Sequence, residues 1–90
     1  MKIEFDPVKR DITLEEHGLD FADVARVIIG MTVTNEDRRY DYGEQRFQTY
    51  GLLYDRVVMF AWTPIDGGLR VMSMRKCNDK EQARFAARMG

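Results

Sequence analysis

What this chain has little of narrows its class first. It holds one cysteine, Cys77, so no disulfide can form within it. That thiol and the only histidine, His17, fall short of the four ligands of a structural zinc site. A lone cysteine fits a reducing compartment, and the expected location is the cytoplasm. The longest unbroken apolar run, Val57 to Trp62, is six residues, against about 20 for a membrane helix. The opening residues Met1-Lys2-Ile3-Glu4-Phe5-Asp6 have no apolar core of the kind a secretory signal carries. Two prolines and a 44% hydrophobic content argue against disorder. There is no Gly-rich phosphate loop, no Walker motif and no His/Cys/Asp metal spacing, so no metal and no cofactor is expected.

What is present is one small domain. Ninety residues leave no room for two cores, and residues 1–90 are read as a single unit. The net charge of −1 hides an asymmetry. Residues 1–45 carry six cations against eleven acids, a balance of −5; residues 46–90 carry eight against four, a balance of +4. Ten of the fourteen cations are arginine, whose planar fork suits phosphate and carboxylate better than a lysine point charge does.

The hydrophobic pattern orders the chain. Lys2 to Asp6 alternates, with Ile3 and Phe5 on one face, and reads as a half-buried strand. Asp6-Pro7 starts a helix, Val8, Ile12 and Leu14 give it an apolar stripe, and Gly18 can cap its end with a positive φ. Asp20 caps a second helix carrying Phe21, Val24, Ala25 and Ile28 on one face, ended by Gly30. Met31 to Thr34 is a short strand, and Asn35 to Gln45 is the longest loop, polar and without period.

A meander follows: Arg46 to Leu53, Val57 to Thr63 and Leu69 to Arg75, joined through Tyr54-Asp55-Arg56 and Pro64 to Gly68. Val57 to Trp62 is apolar on both faces, the mark of a central strand. Asn78 and Glu81 form a capping box that opens a last helix through Met89. The order β-α-α-β-β-β-β-α segregates helices from meander and predicts an α+β fold with an antiparallel sheet.

Chemistry concentrates in Leu69 to Asn78. Strict alternation puts Leu69, Val71, Ser73 and Arg75 on one face and Arg70, Met72, Met74 and Lys76 on the other. Arg75 and Lys76 then stand at a strand end just before a helix N-terminus, a sensible anion site or simply a charged strand end. His17, the only histidine, could serve as acid–base group or phosphate donor; a histidine is also favoured at a helix C-terminus by the macrodipole. Arg46 follows the long loop, with Glu44 two residues before it. Tyr40, Tyr42, Tyr50 and Tyr54 offer stacking surfaces for bases, or ordinary half-buried packing. Cys77 reads as a small buried hydrophobe.

Taken in order, several segments resemble one family. Phe5-Asp6-Pro7-x-Lys9, His17-Gly18-x-x-Phe21, Glu44-x-Arg46 with Gly51 beyond, and Arg70-Val71-x-Ser73-x-Arg75-Lys76 before a Glu81 helix are similar to the BrnT toxins of bacterial type II toxin–antitoxin systems. The resemblance implies a RelE-like ribonuclease fold and a toxin that cleaves RNA and arrests growth. It implies a ribbon-helix-helix antitoxin (BrnA-like) that blocks the toxin, carries the complex to operator DNA and forms a heterotetramer with it. Lys9, His17, Arg46, Ser73, Arg75 and Lys76 match family positions. His17, Arg46, Arg75 and Lys76 are the catalytic candidates; Lys9, Arg46, Ser73, Arg75 and Lys76 are the RNA-binding candidates. RNA supplies its own nucleophile, the 2′-hydroxyl, and preorganised cations can stabilise the developing charge without a metal. His17 or Glu44 would move the protons. Two positions depart from the family pattern: Thr13 stands where members often have Asn, and Glu16 where they often have Lys. The competing expectation is a non-catalytic homologue kept as a protein-binding module; a small α+β domain with an unrelated ligand is the third.

Overall fold

A computed structural model describes residues 1–90. Strand β1 (Lys2–Phe5) leads into helix α1 (Pro7–His17), a 3-10 turn (Phe21–Asp23) and helix α2 (Val24–Ile28). Strands β2 (Thr32–Glu36), β3 (Phe47–Leu53), β4 (Arg56–Ile65) and β5 (Gly68–Lys76) follow, and helix α3 (Asp79–Met89) ends the chain. The architecture is mixed α+β: one five-stranded sheet in the order β1-β5-β4-β3-β2, with helices on both faces.

The local signals act as their chemistry requires. The Asp6 carboxylate accepts from the Val8 amide at 2.9 Å and Pro7 opens α1. Gly18, at φ +68°, closes α1 as its amide donates to the Leu14 carbonyl. Asp20 accepts from the Ala22 amide. Asn78 and Glu81 complete the reciprocal capping box of α3. Val57 to Phe60 are all buried, and β4 is the middle strand of the sheet. Two cores result. Leu19, Phe21, Val24 and Val27 pack with Val58, Phe60, Leu69, Val71 and Met74 on the first face. Val33, Val57, Met59, Cys77 and Phe85 form a smaller cluster on the second, beneath α3.

Four expectations are corrected. The sheet is not wholly antiparallel: β1 adds parallel to β5, with Ile3 beside Leu69 and Phe5 beside Val71. The intervening chain is long enough to return β1 in either direction, and only adjacent hairpins enforce antiparallel pairing. Secondly, β5 does not alternate strictly. Its register with β4 slips between Ala61 and Trp62, so Ala61 pairs with Ser73 and Trp62 with Val71, leaving Met72 as the extra residue of a bulge. Leu69 and Val71 therefore share a face with Met74 and Lys76, while Ser73 and Arg75 turn to the other.

Thirdly, the α1 stripe is not buried: Val8, Ile12 and Leu14 are 64%, 49% and 40% exposed. A polar tie holds α1 instead, with Arg10 donating to both Asp20 carboxylate oxygens at 3.0 Å. Lastly, β4 continues through Pro64 and Ile65, shortening the last hairpin link to Asp66-Gly67. The final β3 pair is Phe47 with Trp62, so the missing amide of Pro64 faces no strand on that side.

Candidate nucleic-acid interface

The second face of the sheet is where the candidate residues meet. Cross-strand partners share a face. Tyr50, Met59 and Arg75 form one row and Gln48, Ala61 and Ser73 the next. Thr63 pairs with Arg70, and Arg46, one residue before Phe47, falls on the Gln48 side. Helix α3 covers the first row through buried Phe85 and half-buried Met89, and Ala61 of the second row packs against the same cluster. The ends of the second row are more open: Gln48 is half-buried and Ser73 is exposed. Three candidates, Arg46, Ser73 and Arg75, are brought to this one face. The bulge at Met72 decides that outcome.

Arg75 is held at the α3 edge. Its guanidinium meets Glu81 in two parallel bonds, Nη1 to Oε1 at 2.8 Å and Nη2 to Oε2 at 2.7 Å. The same carboxylate accepts from the Asn78 amide at 3.0 Å. Arg75 chiefly, and then that amide, pulls the Glu81 carboxyl down to about 2, and Glu81 raises Arg75 in turn. The arginine is fixed in place and also neutralised.

Arg46 is held from the long loop. Its guanidinium lies 4.0 Å from the Tyr42 ring centroid, a close cation–π contact. Glu44 is its nearest carboxylate, 3.6 Å from Nε, too far for a hydrogen bond, and Nε is buried without a partner. Asp37 orders the loop beneath. It accepts twice from the Arg39 guanidinium at 2.9 Å and from the Tyr42 hydroxyl at 3.0 Å. Arg39 holds the Asp37 carboxyl well below the usual carboxylate range. Burial first, and the bond to Asp37 second, push the Tyr42 phenol up. The segment that has no sequence period is thus ordered by side chains, Asp37 to Tyr42 to Arg46.

The other candidates stand apart. His17 ends α1, exposed, with Nε2 3.9 Å from Glu16. Lys9 is exposed on the same helix. Helix α1 is tied through Arg10 and Asp20 to the layer of the first core, and no hydrogen bond or ion pair links His17 or Lys9 to Arg46, Ser73 or Arg75. Lys76 ends β5, exposed. Cys77 is 1% exposed, and burial raises its thiol, which makes it inert packing.

Eight of the fourteen Lys and Arg side chains lie within 4 Å of a carboxylate. The six that do not are Lys9, Arg56, Lys76, Lys80, Arg84 and Arg88. Four of those six lie between residues 76 and 88, at the end of β5 and along α3. Three of them, Lys80, Arg84 and Arg88, stand on α3 at the covered end of this face, whereas Lys76 turns to the other face. Sequence reasoning did not single out Arg84 and Arg88. Their spacing of four, in phase with Glu81 and Phe85, was the available signal.

A family model described as "Ribonuclease toxin, BrnT, of type II toxin-antitoxin system" matches residues 5–81. The chain belongs to the BrnT toxin family. No curated protein matches the sequence. The match runs from the end of β1 to Glu81 and so takes in Lys9, His17, Arg46, Ser73, Arg75 and Lys76; Arg84 and Arg88 lie beyond it. Membership in a BrnT family implies an antitoxin partner, because a type II toxin is held by a protein. No helix of this BrnT-family chain is long and apolar enough to cross a membrane.

Proposed function

We propose that this BrnT-family chain is a metal-independent endoribonuclease toxin with a RelE-like fold, acting in the cytoplasm. The observation that carries the reading is the convergence of Arg46, Ser73 and Arg75 on one sheet face, bordered by the unpaired α3 cations Lys80, Arg84 and Arg88. A single RNA strand laid across that face meets positive charge at both ends and a hydroxyl between them. The substrate's 2′-hydroxyl attacks the adjacent phosphorus, the 5′-oxygen leaves, and Arg75 and Arg46 stabilise the negative charge that builds on the phosphoryl oxygens. Ser73 is assigned to binding the strand on this face; Lys9 on α1 and Lys76 on the opposite face of β5 lie off its path. Of the two acid–base candidates, Glu44 lies beside Arg46, whereas His17 sits on α1. The geometry favours Glu44.

A ribbon-helix-helix antitoxin of the BrnA kind would cover this face, form a heterotetramer with the toxin and carry it to operator DNA. Induction of the chain alone in a bacterial host tests the reading: growth should stop and RNA should fragment. Arg75→Ala should relieve the arrest while the protein keeps its native circular dichroism. Normal growth with intact RNA removes the nuclease. Two observations favour the second reading, a non-catalytic module: Glu16 places an acid beside the only histidine, and Glu81 already occupies Arg75. That module would bind antitoxin without cleaving RNA.

A further inference from the structure

Between α3 and the outer strands lies a cleft of about 130 Å³, lined by Val33, Asn35, Tyr50, Glu81, Arg84, Phe85 and Arg88. No candidate of the proposed reaction lines it, but Glu81 joins it to Arg75. We propose that this cleft is a subsite for one nucleotide of the RNA strand, flanking the bond cut at the Arg75 face. The proposal rests on the RNA reading above.

The cleft is far below the roughly 300–1,000 Å³ that encloses a drug-sized ligand. It suits one planar base inserted edge-first with its phosphate left outside. Val33, Tyr50 and Phe85 form the apolar walls, and the half-buried Tyr50 is the ring a base can stack on. Asn35 is exposed at the mouth, and its amide can both donate to and accept from a base edge.

The phosphates are met by helix geometry. Glu81, Arg84, Phe85 and Arg88 fall on one face of α3 at spacings of three and four. Arg84 and Arg88 are therefore about 6 Å apart along the axis. Both are exposed and neither has a carboxylate within 4 Å. The rise between Arg84 and Arg88 is comparable to the step between successive phosphates, and Glu81 joins this pair to Arg75. Arginine suits this role because its fork can grip a phosphate through two bonds.

The test uses an eight-nucleotide 2′-O-methyl RNA, which cannot be cut because its nucleophile is blocked. Its affinity for the full chain is measured by fluorescence anisotropy across a salt series. The double variant Arg84→Gln/Arg88→Gln should bind roughly 10–30-fold more weakly at 0.1 M salt, with the slope of log affinity against log salt reduced by about 1.4. Tyr50→Leu should weaken binding by roughly tenfold with the slope unchanged, because stacking releases no counterions. Melting curves confirm that each variant is folded. If the wild type fails to bind the octamer, the RNA reading falls and this subsite with it. If the wild type binds and Arg75→Ala weakens binding, yet the double variant keeps full affinity and slope, the subsite alone is overturned. If the double variant keeps RNA but loses the cognate antitoxin, the cleft is a protein groove and the proposal is wrong.

Discussion

Glu81→Gln separates what Glu81 does for the fold from what it withholds from a ligand. Glutamine can still accept from the Asn78 amide, so the capping box survives. The charge is lost, and with it the paired bonds to Arg75 at 2.8 and 2.7 Å. An exposed ion pair contributes about 0–1 kcal/mol. Here the carboxylate is only 16% exposed but its arginine is 45% exposed, so solvent screening keeps the bidentate pair near the top of that range. An anion in the first turn of a helix adds about 0.3–1 kcal/mol. The expected loss at pH 7 is about 1–2 kcal/mol, or roughly 5–15 °C in Tm for a domain of this size.

The same comparison has a pH signature. The folded-state carboxyl sits at about 2, below its ordinary 4.5. Its stabilisation is therefore fully present above about 4.5 and disappears as pH falls toward 2. Denaturant titrations of wild type and variant at pH 7, 4, 3 and about 2 should show the gap close over that window. Freed from its carboxylate, Arg75 should bind the uncleavable octamer more tightly, since phosphate no longer competes with Glu81. A variant as stable as wild type at pH 7, or a gap unchanged at the acid end, refutes the reasoning.

Two further outcomes test the frame around the site. A Cβ at position 68 would overlap the Lys2 carbonyl, so Gly68→Ala should force β1 off its parallel pairing and destabilise the protein by roughly 2–4 kcal/mol. Hydrogen exchange would then report lost protection in Lys2–Phe5; retained protection contradicts the close approach. Asp37→Asn should loosen the residues 38–45 loop and speed its amide exchange while Tm changes little, because the loop packs on neither core. In the wild type, loop order should persist in acid well below the ordinary carboxylate range, since Arg39 holds Asp37 ionised there. A loop that exchanges equally in both proteins would show that Asp37 does not organise it.

The elements were legible because each has a local cause: Asp6, Asp20 and Asn78 are caps whatever surrounds them, and Val57 to Trp62 can only be covered on both sides. The ordered motifs from Phe5 to Glu81 were sufficient to show a BrnT resemblance, and the family match covers that span. Charge asymmetry was equally open to counting.

The assembly of the site was not. Met72 and Met74 are equally apolar, so alternation could not say which of them the sheet would expel as a bulge. That choice alone turns Ser73 and Arg75 toward Gln48 and Tyr50 rather than toward Val71. The Asp37–Tyr42–Arg46 chain has no period, because side-chain bonds rather than backbone ladders order it. Arg84 and Arg88 became notable only when every other arginine but Arg56 had found a carboxylate. Local propensity and composition thus determined the elements and the total charge, and the ordered motifs carried the family resemblance. Only the tertiary structure decided which cations remain free and which face they share, because register and pairing depend on partners distant in sequence.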